Sequence, residues 1–261
     1  MNELDRFRLD GRIALVAGGS GGIGVRLCGA FAGVGAKVGI VGRRADGLEE
    51  ARNAVDGSGG EALVLTGDLT NEADADRVVD EAMARWGRVD VLVNAVGGGA
   101  GTALHPAEQY PETEWDRIVD LNLRSQFLAS KAAARAMIAG GRGGRILNIS
   151  SVRGQLGIDN GFSAYVAAKG AMNALTRQHA TEWAKHAITV NAISPTFVRT
   201  PQVEDLLADE AFVERLLARI PLRRIAETDD LVGAVLFFCS DASSFCTGQV
   251  LTLDGGLTAT Q

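Results

Sequence analysis

Short, continuous apolar runs rich in β-branched residues alternate along this chain with longer segments whose apolar positions recur at helical spacing. Residues 12–17 read as a first strand, followed by a glycine turn and a helix from Gly22 to about Val34. Residues 37–41, 62–66, 89–94, 145–150, 189–193 and 249–253 give six further strands. Helical segments fall at 48–55, 72–86, about 112–139 and 164–185, with a surface turn at 140–144. Strands that are apolar throughout belong in a parallel sheet covered on both faces, and the intervening helices are its crossovers. The pattern predicts an α/β fold: a Rossmann-type, doubly wound, seven-stranded parallel sheet in three α/β/α layers.

The rhythm breaks once, over about 195–225. The middle of that stretch, 203–217, mixes acids with Leu, Val and Phe at helical spacing. Placed after the sixth strand, it predicts a small helical cap over the carboxyl edge of the sheet, where open α/β sheets bind ligands. No repeat, low-complexity segment or compositional break divides the chain, so a single domain is expected over residues 1–261.

With 261 residues and 46% hydrophobic content, the chain can bury one large core. A net charge of −6 argues against a nucleic-acid or an anionic membrane surface. Residues 231–239, the most apolar stretch near the end, fall far short of the ~20 residues that span a bilayer. Residues 1–10 are charged and lack an apolar core, so no signal peptide is expected. Cys28, Cys239 and Cys246 have no metal-ligand spacing and read as reduced thiols of a cytoplasmic protein. His105, His179 and His186 are scattered, and no metal site is expected.

Chemistry enters with Tyr165 and Lys169, four residues apart and so on one helix face, and with Ser150-Ser151 upstream. A free phenol, with a pKa of about 10, exchanges protons poorly near neutrality. An ammonium beside it would favour the phenolate and lower that pKa, while Ser151 holds a carbonyl oxygen. Alone, such a pair arises by chance in many helices. It gains weight from Gly18-Gly19-Ser20-Gly21-Gly22-Ile23-Gly24, which follows the first strand and opens the first helix. Gly18 would make the tight turn, Gly22 would admit a pyrophosphate, and Gly24 would let helix pack on strand. The second strand ends in Gly42-Arg43-Arg44, without the carboxylate that would accept a ribose 2′-hydroxyl. Two guanidiniums there favour a 2′-phosphate, hence NADP (NADPH), with NAD the lesser fit.

These motifs, with Asp68-Leu69, Asn94, Asn122 and Asn191-Ala192-Ile193-Ser194-Pro195 in the same order, resemble the short-chain dehydrogenase/reductase family from Leu9 to Gly256. The resemblance implies a dinucleotide-binding part over about 9–150 and a catalytic and substrate part over about 151–256. It implies four catalytic residues: Asn122, which would anchor a water of a proton relay, Ser151, Tyr165 and Lys169. Gly18, Ser20, Gly22, Ile23, Gly24, Arg43, Arg44 and Gly97 would hold the cofactor, with Asp68 and Leu69 at the adenine and Asn94 at the adenosine ribose. Lys169, beside Tyr165, would also bond the nicotinamide ribose, and Val198 and Thr200 would receive the carboxamide.

The chain departs from the family pattern at four places. Ala17 replaces a turn-bracing Thr, Ala95 a second Asn, and Thr196 a Gly beside the nicotinamide, while Gly21 stands where many NADP-dependent members carry a cation. Within the family, Arg6–Arg12, Ala180–Ala184 and Asp241–Phe245 are similar to gluconate 5-dehydrogenases and related sugar-acid or polyol dehydrogenases. The implied reaction interconverts a secondary alcohol and a ketone on a small hydroxylated ketone or keto-sugar acid. The 3-oxoacyl-carrier-protein reductases share nearly all the motifs and are the rival. That reading needs a basic docking patch, for which Arg124, Lys131, Arg135 and Arg177 are the candidates. A nucleotide-sensing binding protein without catalysis is a more distant alternative.

Ser151, Arg153, Tyr165, Thr196 and Phe197 are the expected substrate contacts. A guanidinium at 153 suits a carboxylate or several hydroxyls, whereas Phe162 and Phe197 suit an apolar chain. The 247–261 segment resembles the part that packs across subunits in tetrameric relatives, implying a homotetramer.

Overall fold

The structure, a computed structural model, describes residues 2–98, 104–159 and 161–259. Seven strands are present: β1 (Ile13–Ala17), β2 (Lys37–Gly42), β3 (Ala62–Thr66), β4 (Val91–Asn94), β5 (Gly144–Ile149), β6 (Ile188–Pro195) and β7 (Val250–Leu253). They form one parallel sheet in the order β3-β2-β1-β4-β5-β6-β7. The expected α/β class and three-layer architecture are the ones observed.

Nine α-helices cover it among the described residues: α1 (Gly22–Gly33), α2 (Ala45–Gly57), α3 (Glu72–Trp86), α4 (Glu112–Val119), α5 (Ser125–Gly140), α6 (Ser163–Trp183), α7 (Glu204–Leu207), α8 (Glu210–Arg219) and α9 (Asp229–Cys239). Because successive side chains of a strand point to opposite faces, β1 feeds two cores. Ala14 and Val16 pack with Leu27, Phe31, Val55 and Val235 beneath α1, α2 and α9. Leu15 and Ala17 pack with Val78, Ala82, Leu128 and Ala132 beneath α3 and α5. This two-sided burial explains why the strands are apolar throughout.

β1 lies between β2 and β4, so the chain winds away from it in both directions. The loops leaving the carboxyl ends of β1 and β4 therefore part there, opening the crevice in which such sheets bind ligands.

Two local features were not anticipated. The long helix expected over 112–139 is interrupted by a π turn at Asp120–Arg124, between α4 and α5. One extra residue in a turn leaves the apolar period almost intact, so the sequence pattern passes over it. The second is α9, whose apolar residues surround its axis, so no amphipathic stripe marks it. Its signal was at its start, where Asp229 and Asp230 occupy the first turn.

The cap consists of α7 and α8, the latter started by Asp209, whose carboxylate accepts the Ala211 and Phe212 N–H groups. It rests on a separate cluster of Val152, Leu216, Ile220, Ile225 and Leu257. Thr260 and Gln261, at the end of the expected subunit-contact segment, lie outside the described residues. Among the described residues no helix is long and apolar enough to cross a membrane, and no group of three or more His, Cys, Asp or Glu side chains is placed to hold a metal ion.

Candidate active site

A single cleft of about 590 Å³ runs along the carboxyl edge from the glycine turn to the cap. Gly18 has φ +85°, and a Cβ there would stand 2.6 Å from the backbone of Ala95 and Val96. A Cβ on Gly24 would overlap the Gly18 carbonyl. Gly24 thus lets α1 close on the turn itself, rather than on the strand as expected. The N-cap of α1, Gly21, has no capping side chain, so the first N–H groups of the helix are free for an anion. Gly22, Ile23 and Gly24 line the cleft.

The two arginines after β2 differ. Arg44 lines the cleft, and its Nη2 donates to the Ser20 carbonyl at 2.5 Å. Ser20 itself is buried. Arg43 is exposed and paired with Asp68, Nη1 to Oδ2 at 3.0 Å. Burial opposes the charge of Asp68, but the Thr70 backbone and hydroxyl, with Arg43, hold its carboxyl below the usual value. Leu69 is 4% exposed, its side chain packed in the sheet core.

Asn94 is expected to border the adenosine ribose. Its side chain is fully buried, and its Nδ2 donates to Ser130 Oγ and Asn148 Oδ1, each at 2.8 Å. Asn148 donates onward to Thr176 at 2.9 Å, so the amides tie β4 and β5 to α5 and α6. Only the main chain of Asn94 remains for a cofactor.

Of the serine pair, Ser150 donates to Asn173 Oδ1 at 2.6 Å. Ser151 caps the short 3₁₀ turn Val152–Gly154, accepting the Arg153 N–H at 3.1 Å. Tyr165, at the first turn of α6, faces Ser151 across the cleft. Lys169, one turn on, is 3% exposed. Its Nζ donates to the Ile149 carbonyl at 2.9 Å and stands 5.6 Å from the Tyr165 ring centroid.

That arrangement corrects the expected electrostatics. Burial pushes the Tyr165 pKa up, and the groups opposing this are the Ser151 hydroxyl and then the Arg153 guanidinium. Lys169 is turned toward a carbonyl instead of the phenol oxygen, and burial lowers its own pKa to about 8.

Asn122 is fully buried in the π turn. Its Oδ1 accepts the Gly98 N–H at 2.8 Å, and its Nδ2 donates to the Gly98 and Ile118 carbonyls at 2.9 and 3.0 Å. It therefore fixes the loop after β4. A Cβ on the neighbouring Gly97 would lie 2.9 Å from Asn122 Oδ1 and 3.2 Å from Lys169 Nζ. Both polar atoms thus converge on one point, which only glycine leaves open.

Thr196, Phe197, Val198 and Thr200, all expected here, line the cleft with Ser151, Arg153 and Tyr165. Gly18, Ser20, Arg43, Asp68, Leu69, Asn94 and Asn122 stand outside its lining. Sequence reasoning passed over Ile158, Gln202 and Leu206, which complete the wall below the cap. Gln202 touches Gly98 from the cap side; its position in the segment after Thr200 was the available signal.

A phosphate-ready helix end joined by one cleft to a Ser–Tyr–Lys group defines an oxidoreductase of CH–OH groups that uses a nicotinamide cofactor. A family model described as enoyl-(acyl carrier protein) reductase matches residues 17–258. The chain is 38% identical over 261 residues to gluconate 5-dehydrogenase of Gluconobacter oxydans, covering 99% of each. It is 39% identical to an uncharacterized oxidoreductase of Mycobacterium tuberculosis, over 98% of this chain and 94% of the relative. Its fold matches the crystal structure of a gluconate 5-dehydrogenase from Burkholderia cenocepacia in complex with NADP and tartrate, with TM-score 0.92, 37% identity and 99% coverage of each chain. A short-chain type dehydrogenase/reductase from Mycobacterium marinum gives TM-score 0.93 at 35% identity, over 99% of this chain and 100% of that one. The chain belongs to the short-chain dehydrogenase/reductase family.

Proposed function

We propose that this protein is an NADP(H)-dependent enzyme that interconverts a ketone and a secondary alcohol on a small hydroxylated ketone or keto-sugar acid. The observation that carries the reading is the lining of the cleft, which includes Arg44, Arg153 and Lys169 and no carboxylate among the described residues. One cation stands at each end and one beside the reacting group. The relatives named for gluconate and ketogluconate chemistry support the same substrate class.

The residues present fit the cofactor. The uncapped start of α1 suits the pyrophosphate, and the absence of a carboxylate at the end of β2 leaves Arg44 facing a 2′-phosphate. Arg43 would join it by leaving Asp68, a cheap exchange because that pair is exposed. Val198 and Thr200 would receive the carboxamide, and Lys169 the nicotinamide ribose. The bound nicotinamide supplies the hydride for reduction and accepts it in oxidation.

In reduction Ser151 orients the carbonyl oxygen and Tyr165 gives it a proton. Lys169, held by Ile149, returns a proton toward Tyr165. A water bridging Lys169 Nζ and Asn122 Oδ1 at the open side of Gly97 would link this pair to solvent. Residues up to about 150 thus serve the cofactor, and 151–256 carry most of the chemistry. We place the enzyme in the cytoplasm as a homotetramer, on family resemblance.

The carrier-protein reading is weakened by its docking patch. Lys131 pairs with Glu72, Arg135 with Asp76, and Arg124 donates to the Thr70 carbonyl. Of the four, only Arg177 has no side-chain hydrogen bond or ion pair among the described residues. The test is coenzyme oxidation by purified protein, with NADPH and NADH, against keto acids, polyol ketones and an acetoacetyl thioester. NADPH with a keto acid should give the highest kcat/KM; preference for the thioester moves the protein to the acyl-carrier reductases.

A further inference from the structure

Arg153 is 8% exposed, yet no carboxylate among the described residues pairs with it. Its one side-chain bond to protein is from Nη1 to the Gly157 carbonyl, at 3.2 Å. A guanidinium has five N–H donors, so most of its capacity is unspent. Its other nitrogens are not among the buried, unpartnered atoms of the chain, whereas Arg145 Nε is. They therefore open onto the cleft, whose wall includes Arg153.

The surroundings do not neutralise this charge. Asp159, the acid nearest in sequence, is exposed and makes no ion pair with it. The charges that act on Arg153 are those of Arg219, at the end of α8, which is a like charge, and of Tyr165 when its phenol is ionised. Arg219 is itself exposed and forms no ion pair among the described residues. A buried, unpaired cation is costly, and two cations brought together cost more. Such an arrangement is stable in use only when an anion completes it.

We propose that Arg153, reinforced from the cap by Arg219, is the receiver of a substrate carboxylate, so that the substrates are hydroxy and keto acids rather than neutral polyols or ketones. The assignment rests on the proposed keto–hydroxy reaction and narrows its substrate class. Of the three cations in the cleft, Arg44 lies at the cofactor end and Lys169 is held by the Ile149 carbonyl. Arg153 alone is left for the substrate. Its backbone N–H donates to Ser151 Oγ at 3.1 Å, and Arg153 lines the same cleft as Ser151 and Tyr165. The fork geometry of a guanidinium grips both carboxylate oxygens, as a lysine would not. Arg219, exposed on α8 and outside the cleft's lining, acts only through its field and should be screened by salt.

The experiment compares acids with their neutral amides. For wild type, Arg153→Gln, Arg153→Lys and Arg219→Ala, kcat/KM is measured with NADPH for 5-ketogluconate and its amide. In parallel, calorimetry follows gluconate and gluconamide binding to the protein saturated with NADP⁺. The expected acid-over-amide ratio in wild type falls by about 10- to 100-fold in Arg153→Gln, the range of a lost charge-assisted bond. It should recover in part in Arg153→Lys and fall by a few-fold, in a salt-dependent way, in Arg219→Ala. Calorimetry should show gluconate preferred over gluconamide by wild type, less strongly by Arg153→Lys and Arg219→Ala, and not by Arg153→Gln. If the ratio in Arg153→Gln stays within twofold of wild type, or if wild type binds acid and amide equally, the carboxylate site is overturned. Binding that discriminates without any turnover would uphold the site and instead refute the reaction assigned to the enzyme.

Discussion

At the cofactor end of the cleft the contacts are made by backbone: a glycine turn, an uncapped helix start, and a loop clamped by Asn122. At the substrate end they are made by side chains, among them Arg153, Phe197 and Leu206, carried by a 3₁₀ turn and the cap. The first end is fixed by strand register and tolerates little change, because a side chain on Gly18 or Gly24 would strike backbone. The second is carried on segments outside the sheet and can vary in residue type while the fold stays the same. A shared reaction and a private substrate are thus housed in different kinds of structure.

The largest test lies where the two ends meet. Replacing Tyr165 by Phe removes the proton donor while keeping the ring against Phe162 and Ile118. Turnover should fall by about 10²–10⁴-fold, the span of a lost general acid, with NADPH affinity little changed. A loss of NADPH binding of similar size would show that the residue belongs to the cofactor end instead.

Gly97→Ala sharpens the contrast from the backbone side. Its Cβ would enter the point shared by Asn122 Oδ1 and Lys169 Nζ. Displacing those atoms should lower kcat by roughly 10²-fold, as small misplacements at a reacting centre do. Normal kcat in a folded Gly97→Ala variant would remove the proposed water bridge.

Next comes the cofactor charge. Arg44→Asp should lower kcat/KM for NADPH by about 10–100-fold, the cost of one charge-assisted contact turned to repulsion, and should spare NADH. Arg43→Asp should do less, because Arg43 is exposed and already shared with Asp68. Equal use of both coenzymes by the unmodified protein would defeat the NADP assignment.

The smallest effect is in pH. Burial holds the Tyr165 pKa above the ordinary phenol value, so the phenol is protonated at neutral pH. Reduction, which needs the acid, should be level through neutrality and decline only in the alkaline range. Oxidation, which needs the phenolate, should climb over that same range. Arg153→Gln removes a cation that favours the phenolate, so the oxidation limb should move to higher pH. An unmoved limb would show that this cation does not reach the phenol.

The same division decided what could be read from the chain. Gly18 and Gly24 were legible because the backbone admits nothing else, Gly22 by its spacing between them, and Tyr165 with Lys169 because helical spacing puts them on one face. For Asn94 the position was visible but not the partners; Ser130 and Asn148 reach it only through the fold. The sign of the Tyr165 shift was also hidden, since it is set by burial in the folded cleft, with Lys169 turned to the Ile149 carbonyl. Helix α9 escaped because apolar residues occupy its partly exposed sides as well as its buried face, Leu231, Val235, Phe238 and Cys239, which leaves no polar contrast to read.

The central claim is a hydride passed between nicotinamide and a ketone in this one cleft, with Tyr165 as the acid. It is tested most directly by turning over a keto acid with NADPH deuterated at C4 and locating the label in the product. Deuterium should appear on the new carbinol carbon with wild type, and Tyr165→Phe should yield almost no labelled product in the same time. Product lacking deuterium at that carbon, or labelled product formed equally fast by Tyr165→Phe, would contradict the account.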